Sequence, residues 1–243
     1  MRIATLDRTP PHRERVLTDG IPVHKTTLFH SDASQFPAPT AHLIEQAAGD
    51  VVRPHFHMNS QFQVFVHGSG TLGRSRVAPF VAQYVAAHTG YGPITADGDD
   101  GIWYLTLRPS YPIHAAGYKP VLYLPESRPV LDAERPKFQV HSPVFAPNDR
   151  TATHDVVRHM IEPAANGLAA WWVRLAPGET IRAPQHPQGL ARYCVVASGA
   201  LVHEGNALPP LSLIWSTCDE DVPMTAGSDG AEVMVLQFPG DAT

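Results

Sequence analysis

The chain carries only 2 Cys among 243 residues, too few for a disulfide framework, so nothing in it calls for an oxidising compartment. Charge is also scarce at 17%, and 18 Lys+Arg against 23 Asp+Glu give a formal net charge of −5. That balance leaves no basic surface for tracking phosphates and excludes nucleic acid as a partner. No apolar run approaches the roughly 18 residues of a membrane-spanning helix, so no membrane partner is expected. Met1 to Leu17 is charged, contains Pro10 and Pro11, and has no apolar h-region of a signal peptide. Together these absences make a cytoplasmic location the expectation. Long polar tracts are missing too, and 43% of the residues are hydrophobic, as in a folded chain with a core.

Proline and glycine are plentiful: 24 Pro and 18 Gly, against an average of roughly 12% for the two together. Combined with short runs rich in Val, Phe, Tyr and Trp, this points to an all-β chain with many turns. The clearest strand is Gln61 to His67, where Phe62, Val64 and Val66 share one face and Gln61, Gln63, Phe65 and His67 the other. A second is Ile102 to Leu107. Further strands are expected at His42–Gln46, Val81–Ala86, Trp171–Leu175, Arg192–Ala197, Leu211–Ser216 and Glu232–Phe238. Thr153 to Ile161 reads equally well as a short helix or a strand.

The chain also repeats itself. Ala47-Ala-Gly-Asp50 matches Ala176-Pro-Gly-Glu179, and His55 matches His186. Phe62-x-Val64 and Gly68 match Tyr193-x-Val195 and Gly199 without a gap, and Gly92-Pro-Ile-Thr-Ala96 matches Val222-Pro-Met-Thr-Ala226. Matches in the same order across a whole unit indicate a duplicated β unit. Between the copies, Ser110 to Asn148 holds Pro112, Pro120, Pro125, Pro129, Pro136, Pro143 and Pro147, a density that suits a wrapping connection rather than a central strand. The expected division is an N-terminal unit of 1–125 and a C-terminal unit of 126–243.

The sharpest local pattern is Gly49-x5-His55-x-His57-x3-Gln61-x6-Gly68. Two His at i and i+2 on a strand project from one face, close enough to hold a divalent metal through their imidazoles. Gln61 begins the next strand, where its amide oxygen can supply a third ligand, and the glycines close the turns at either end.

This spacing resembles the first signature of the cupins, G-x5-H-x-H-x(3,4)-E-x6-G, with Gln61 in place of the glutamate. The resemblance covers most of both halves and leaves the arm up to about Thr40 outside it. It implies two tandem barrels of the double-stranded β-helix, or jelly-roll, kind. The second cupin signature, P-x-G-x-x-H, falls on Ala86 to Pro93, where Tyr91 takes the place of the metal-binding His and His88 that of the turn glycine. Either can complete the shell. Imidazole is the commoner first-row ligand, which favours His88 as ligand and Tyr91 as a pocket residue that handles protons. A neutral Gln61 holds a dication less firmly than a carboxylate does. It shifts the preference toward iron, with nickel, copper and zinc as alternatives.

In the second copy only His186 persists. Gln188 replaces the second His, Arg192 stands at the position of Gln61, Cys218 at that of His88 and Asp221 at that of Tyr91. Arg192 opposes cation binding, so the C-terminal barrel is expected to be metal-free. Strand parity and proximity nominate Gln63, Phe65, Arg53 and Tyr104 as walls of the N-terminal pocket.

The resemblance implies a metal-dependent enzyme acting on a small organic substrate, first an iron-type dioxygenase or related oxidoreductase. A zinc- or nickel-type lyase or isomerase with Tyr91 as base is one alternative, and a non-catalytic small-molecule-binding cupin is another. Cupin barrels often pair through sheet edges, so a homodimer is an expectation as well.

Overall fold

The computed structural model describes residues 1–6, 12–18, 20–30, 38–109, 121–133, 137–143 and 157–242. Strands dominate them. In chain order they are β1 (Arg2–Ala4), β2 (His12–Thr18), β3 (Ile21–Phe29), β4 (Thr40–Gln46), β5 (Val51–Val52), β6 (His55–Phe56), β7 (Gln61–Leu72), β8 (Ser75–Val77), β9 (Ala82–Val85) and β10 (Ile94–Arg108). After these come β11 (Leu122–Tyr123), a short helix α1 (Arg128–Ala133) and β12 (Gln139–His141). The remainder are β13 (Val157–Ile161), β14 (Ala169–Leu175), β15 (Thr180–Arg182), β16 (Gly189–His203), β17 (Asn206–Leu208), β18 (Leu213–Thr217) and β19 (Pro223–Pro239). All pairings between them are antiparallel.

The chain forms two compact units, Pro11–Phe145 and Ala146–Asp241, and Met1–Pro10 joins the second. Each is an all-β barrel of the jelly-roll kind. The strand order β9-β7-β10-β4 in the first unit recurs as β18-β16-β19-β14 in the second. The short strands recur as well: β8 pairs β7 as β17 pairs β16, and β5 pairs β10 as β15 pairs β19. Sequence similarity and hydrogen-bond topology therefore repeat together.

Two boundaries differ from the sequence-based division at 125/126. β12 pairs β9, Gln139 opposite Val85 and His141 opposite Gln83, so this stretch is an edge strand of the first unit. β1 pairs β18, Arg2 opposite Trp215, and the Arg2 guanidinium lies 5.8 Å from the Trp215 ring, so the first residues of the chain complete the second unit. Of the ambiguous stretch Thr153 to Ile161, Val157–Ile161 is strand β13, and Thr153 to Val156 lies outside the described residues.

Every expected strand is present, and several run longer than their alternation suggests. β7 continues past His67 because Gly68 adopts φ 72° and lets β10 approach closely; a Cβ there would stand 1.9 Å from the Gly101 carbonyl oxygen. Gly68 is thus a crossing point inside a strand and not the turn its place in the motif predicts. Gly49, at φ 78°, does sit in a turn. In the first unit β3 and β2 extend the sheet beyond β4, so the arm outside the cupin resemblance becomes two strands of the barrel.

The core of the first unit gathers Val52, Phe65, Leu72, Val77, Ile94 and Ile102. That of the second gathers Trp171, Val173, Cys194, Val196, Met224 and Val233. Both cysteines are free thiols.

Candidate functional site

His55 lies on β6, which bonds on one side to β11 and on the other to Tyr91. The His55 N–H donates to the Tyr91 carbonyl and the Tyr91 N–H to the His55 carbonyl, each at 3.0 Å. This local pairing puts the two rings 4.5 Å apart and brings His57 within reach of the same phenol. Gln61, at the start of β7, and Arg108, at the end of β10, meet from neighbouring strands.

The result is one hydrogen-bonded cluster. The Gln61 Nε2 donates to Tyr91 Oη at 2.7 Å, and Arg108 Nη2 donates to Gln61 Oε1 at 2.9 Å. Arg108 Nη2 also lies 3.4 Å from His57 Nδ1, and His57 Nε2 lies 3.0 Å from Tyr91 Oη. A guanidinium can only donate, so His57 Nδ1 accepts and its Nε2 carries the proton toward Tyr91. His55 Nδ1 lies 2.8 Å from the Arg53 carbonyl, which can only accept; His55 is therefore the opposite tautomer, with its acceptor nitrogen at Nε2. The side chains of His55, His57, Gln61, Tyr91 and Arg108 are all buried.

His55, His57, Tyr91 and Arg108 face a cavity of about 410 Å³. Its lining includes His55, His57, Gln63, Tyr91, Tyr104 and Arg108. The rest comes largely from the outer strands: Glu14 on β2, Lys25 and Thr27 on β3, and Thr40 and His42 on β4. The size suits a small organic ligand.

Burial governs the ionisation of these groups. It drives the Tyr91 phenol far above its ordinary value, with the nearby Tyr104 adding to the rise against the opposing pull of Arg108. Tyr104 shifts the same way, first through burial and then through Tyr123. His42 is pushed down to about 3 by burial, then by Lys25, Arg108 and His30, so it is neutral; its Nδ1 lies 3.2 Å from Thr27 Oγ1.

Some nominated residues therefore come together and others do not. His55, His57, Gln61 and Tyr91 form the cluster, and Gln63 and Tyr104 line the cavity. His88 stays out: its residue turns through φ 56°, its N–H donates to the His57 carbonyl at 2.8 Å, and its ring packs 6.2 Å from Phe56. Phe65 is fully buried in the core beside Tyr104 and not a cavity wall. The Arg53 side chain is exposed, pairing with Glu126 at 2.9 Å and lying 5.0 Å from the Tyr123 ring; only its carbonyl serves the site.

Arg108 is the residue that sequence reading missed. It ends an apolar strand, two and four residues beyond Thr106 and Tyr104, and shares their cavity-facing parity. That alternation was its available signal.

The donor set fits a metal poorly. Among the described residues no group of three or more His, Cys, Asp and Glu is placed to hold an ion. Two imidazoles, an amide and a neutral phenol offer no anionic donor, and a guanidinium stands among them. The His57 Nε2 carries a proton, and Gln61 Oε1 is already engaged by Arg108. An ion would have to break these bonds to bind.

In the second unit Arg192 is buried at the Gln61 position. It donates from Nη1 to Gln185 Oε1 and from Nη2 to the Glu220 carbonyl. The His186 backbone is held by Gln237, whose Oε1 accepts from its N–H and whose Nε2 donates to its carbonyl.

No protein-family model matches the chain, and no curated protein matches it by sequence. Solved structures do match. A "putative dioxygenase" from Nostoc punctiforme aligns with TM-score 0.61 at 10% identity, covering 100% of this chain and 84% of that one. The bacterial pirin YhhW from Escherichia coli, in complex with nickel(II), aligns with TM-score 0.57 at 11% identity, covering 98% of both chains. Oxalate decarboxylase from Bacillus subtilis at pH 4.6 aligns with TM-score 0.61 at 11% identity, covering 98% of this chain and 76% of that one. At such identities the likeness is one of fold: an all-β, cupin-like architecture over the whole chain.

Proposed function

We propose that the N-terminal unit binds a small organic anion, a carboxylate, in the cavity beside Arg108. The observation that carries this is Arg108 itself. Its guanidinium is buried against the cavity, where it donates to His57 and Gln61. A charge so placed is stabilised by an incoming anion far more than by water it no longer meets. Tyr91 supports the same reading. Its oxygen accepts from His57 and Gln61, which leaves its own O–H to donate, and burial keeps that proton in place at neutral pH. Tyr91 is then a hydrogen-bond donor to the ligand and not a base. The His55 imidazole, whose Nδ1 bonds the Arg53 carbonyl, lines the cavity beside it.

Isothermal titration of a panel of small carboxylates against wild type and Arg108→Met tests this. A charge-assisted bond is worth about 1.5–3 kcal/mol, so the variant is expected to lose roughly ten- to hundredfold in affinity. Equal affinity in the variant would refute the reading.

A second reading is a metal-dependent oxidoreductase, first an iron-type dioxygenase. What favours it is the His55/His57 pair, both lining the cavity, and the fold shared with a "putative dioxygenase" and a nickel-bound pirin. Plasma mass spectrometry of wild type beside the His55→Ala/His57→Ala double variant separates the two. Near-stoichiometric metal that disappears in the double variant establishes the second reading. Metal-free protein that still binds acids establishes the first.

A further inference from the structure

We infer that the ligand of this cavity is a hydroxy acid, whose carboxylate meets Arg108 while a hydroxyl near it donates to the side-chain oxygen of Gln63. The inference rests on the carboxylate reading and names the ligand class within it.

Gln63 lines the cavity at 2% exposure, and its Oε1 is buried with no hydrogen-bond partner. The amide oxygens of Gln46, Asn59 and Gln83 are also buried without a donor, but of these four described residues only Gln63 lines the cavity, where a bound molecule can complete it. The neighbours do not complete it. Gln83, opposite Gln63 across β9, uses its own amide hydrogens on Gln139 Oε1 at 2.8 Å and on His141 Nε2 at 3.3 Å. Thr106 is opposite on β10, and neither residue has a bond to Gln63 Oε1.

The position of Gln63 sets what the ligand must carry. On β7 it follows Gln61 by two residues, and on β10 Thr106 precedes Arg108 by two. The carboxylate-binding row and the Gln63 row are therefore adjacent rows of one face, roughly 6.7 Å apart along the strands. Side chains of this length close that gap onto groups one to three carbons apart in a single small molecule.

The group that meets Gln63 must be a donor, and a hydroxyl fits better than an ammonium. Lys25 and Arg108 both line the cavity, and Glu14, the one carboxylate lining it among the described residues, pairs with Lys25 at 3.5 Å. An ammonium would enter a field of its own sign.

Matched acids test this by isothermal titration at neutral pH: butanoate against 2-hydroxybutanoate and 3-hydroxybutanoate, and benzoate against 2-hydroxybenzoate. In at least one series the hydroxy acid is expected to bind wild type tenfold or more tighter than its parent. Gln63→Leu is expected to remove that advantage, so that hydroxy acid and parent bind the variant within about twofold of each other. Parents and hydroxy acids that bind alike, both weakened by Arg108→Met, would overturn this inference while sparing the carboxylate reading. Failure of every acid to bind would overturn both. The wild-type comparison stands even where Gln63→Leu fails to fold. Equal weakening of parent and hydroxy acid in a folded Gln63→Leu assigns Gln63 to packing and also overturns the inference.

Discussion

Tyr91 is the residue on which most of the site converges, and its role follows from what it accepts. Two buried N–H groups, from His57 and Gln61, point at one phenol oxygen. Tyr91→Phe leaves both without an acceptor, which costs about 1–3 kcal/mol per buried group. A lower urea midpoint together with weaker carboxylate binding is the expected result; loss of stability alone would remove Tyr91 from the binding site. His42 gives a pH prediction. Its folded value of about 3 lies below the ordinary 6.5, so between these limits the unfolded chain binds the proton and the folded protein does not. The stability it contributes is complete above pH 6.5 and is lost as pH falls toward 3, by an amount of order a few kcal/mol. Urea midpoints measured from pH 7 to 4 should fall for wild type and flatten in His42→Gln. Parallel acid limbs would assign the loss to other groups.

Between elements, the decisive contact is the crossing of β7 over β10. Gly68 and Gly199 make it in the two units, at φ 72° and 65°, each with a carbonyl oxygen where a Cβ would stand: Gly101 at 1.9 Å and Gly230 at 2.2 Å. Gly68→Ala must therefore move backbone as well as adopt a strained φ. It is expected to cost more than about 3 kcal/mol, against about 1 kcal/mol for Gly98→Ala, where φ is 69° but the space is open. Thermal melts of the two variants check the order, and equal melting temperatures would show that the crossing relaxes freely. This contact also explains what the sequence could tell. Alternation of apolar residues located β7, β9, β10 and their counterparts, because one face of each is in the core. It did not show their lengths, since a glycine inside a strand and a glycine in a turn look alike until the facing strand is known. The spacing of His55, His57 and Gln61 was legible, being local. The exclusion of His88 depends on a positive φ, and the arrival of Arg108 on the register between β7 and β10. The first is not written in local spacing, and of the second only the parity that Arg108 shares with Tyr104 and Thr106 is.

At the scale of the whole molecule, one topology carries two different polar centres. In the first unit Gln61 on β7 is bonded to Arg108 on β10. In the second Arg192 on β16 stands at the Gln61 position, with Gln237 of β19 directly opposite it. Each unit thus places one arginine and one glutamine on the equivalent strand pair, in exchanged positions. Their partners differ in kind. Arg108 faces a cavity. Arg192, at 1% exposure, is engaged by Gln185 and the Glu220 carbonyl, and Gln237 ties the His186 backbone in place. The same charge is therefore expected to serve binding in one unit and stability in the other. Arg192→Leu leaves two part-buried acceptors without their donor and should cost roughly 1–3 kcal/mol in urea unfolding, with the acid titration of the first unit unchanged. Arg108→Met should abolish most of the acid binding, with a stability cost of its own because His57 Nδ1 and Gln61 Oε1 lose their donor. An Arg192→Leu protein of wild-type stability that binds fewer acid molecules than wild type would instead make Arg192 a second anion site, and the division of labour between the repeats would fall.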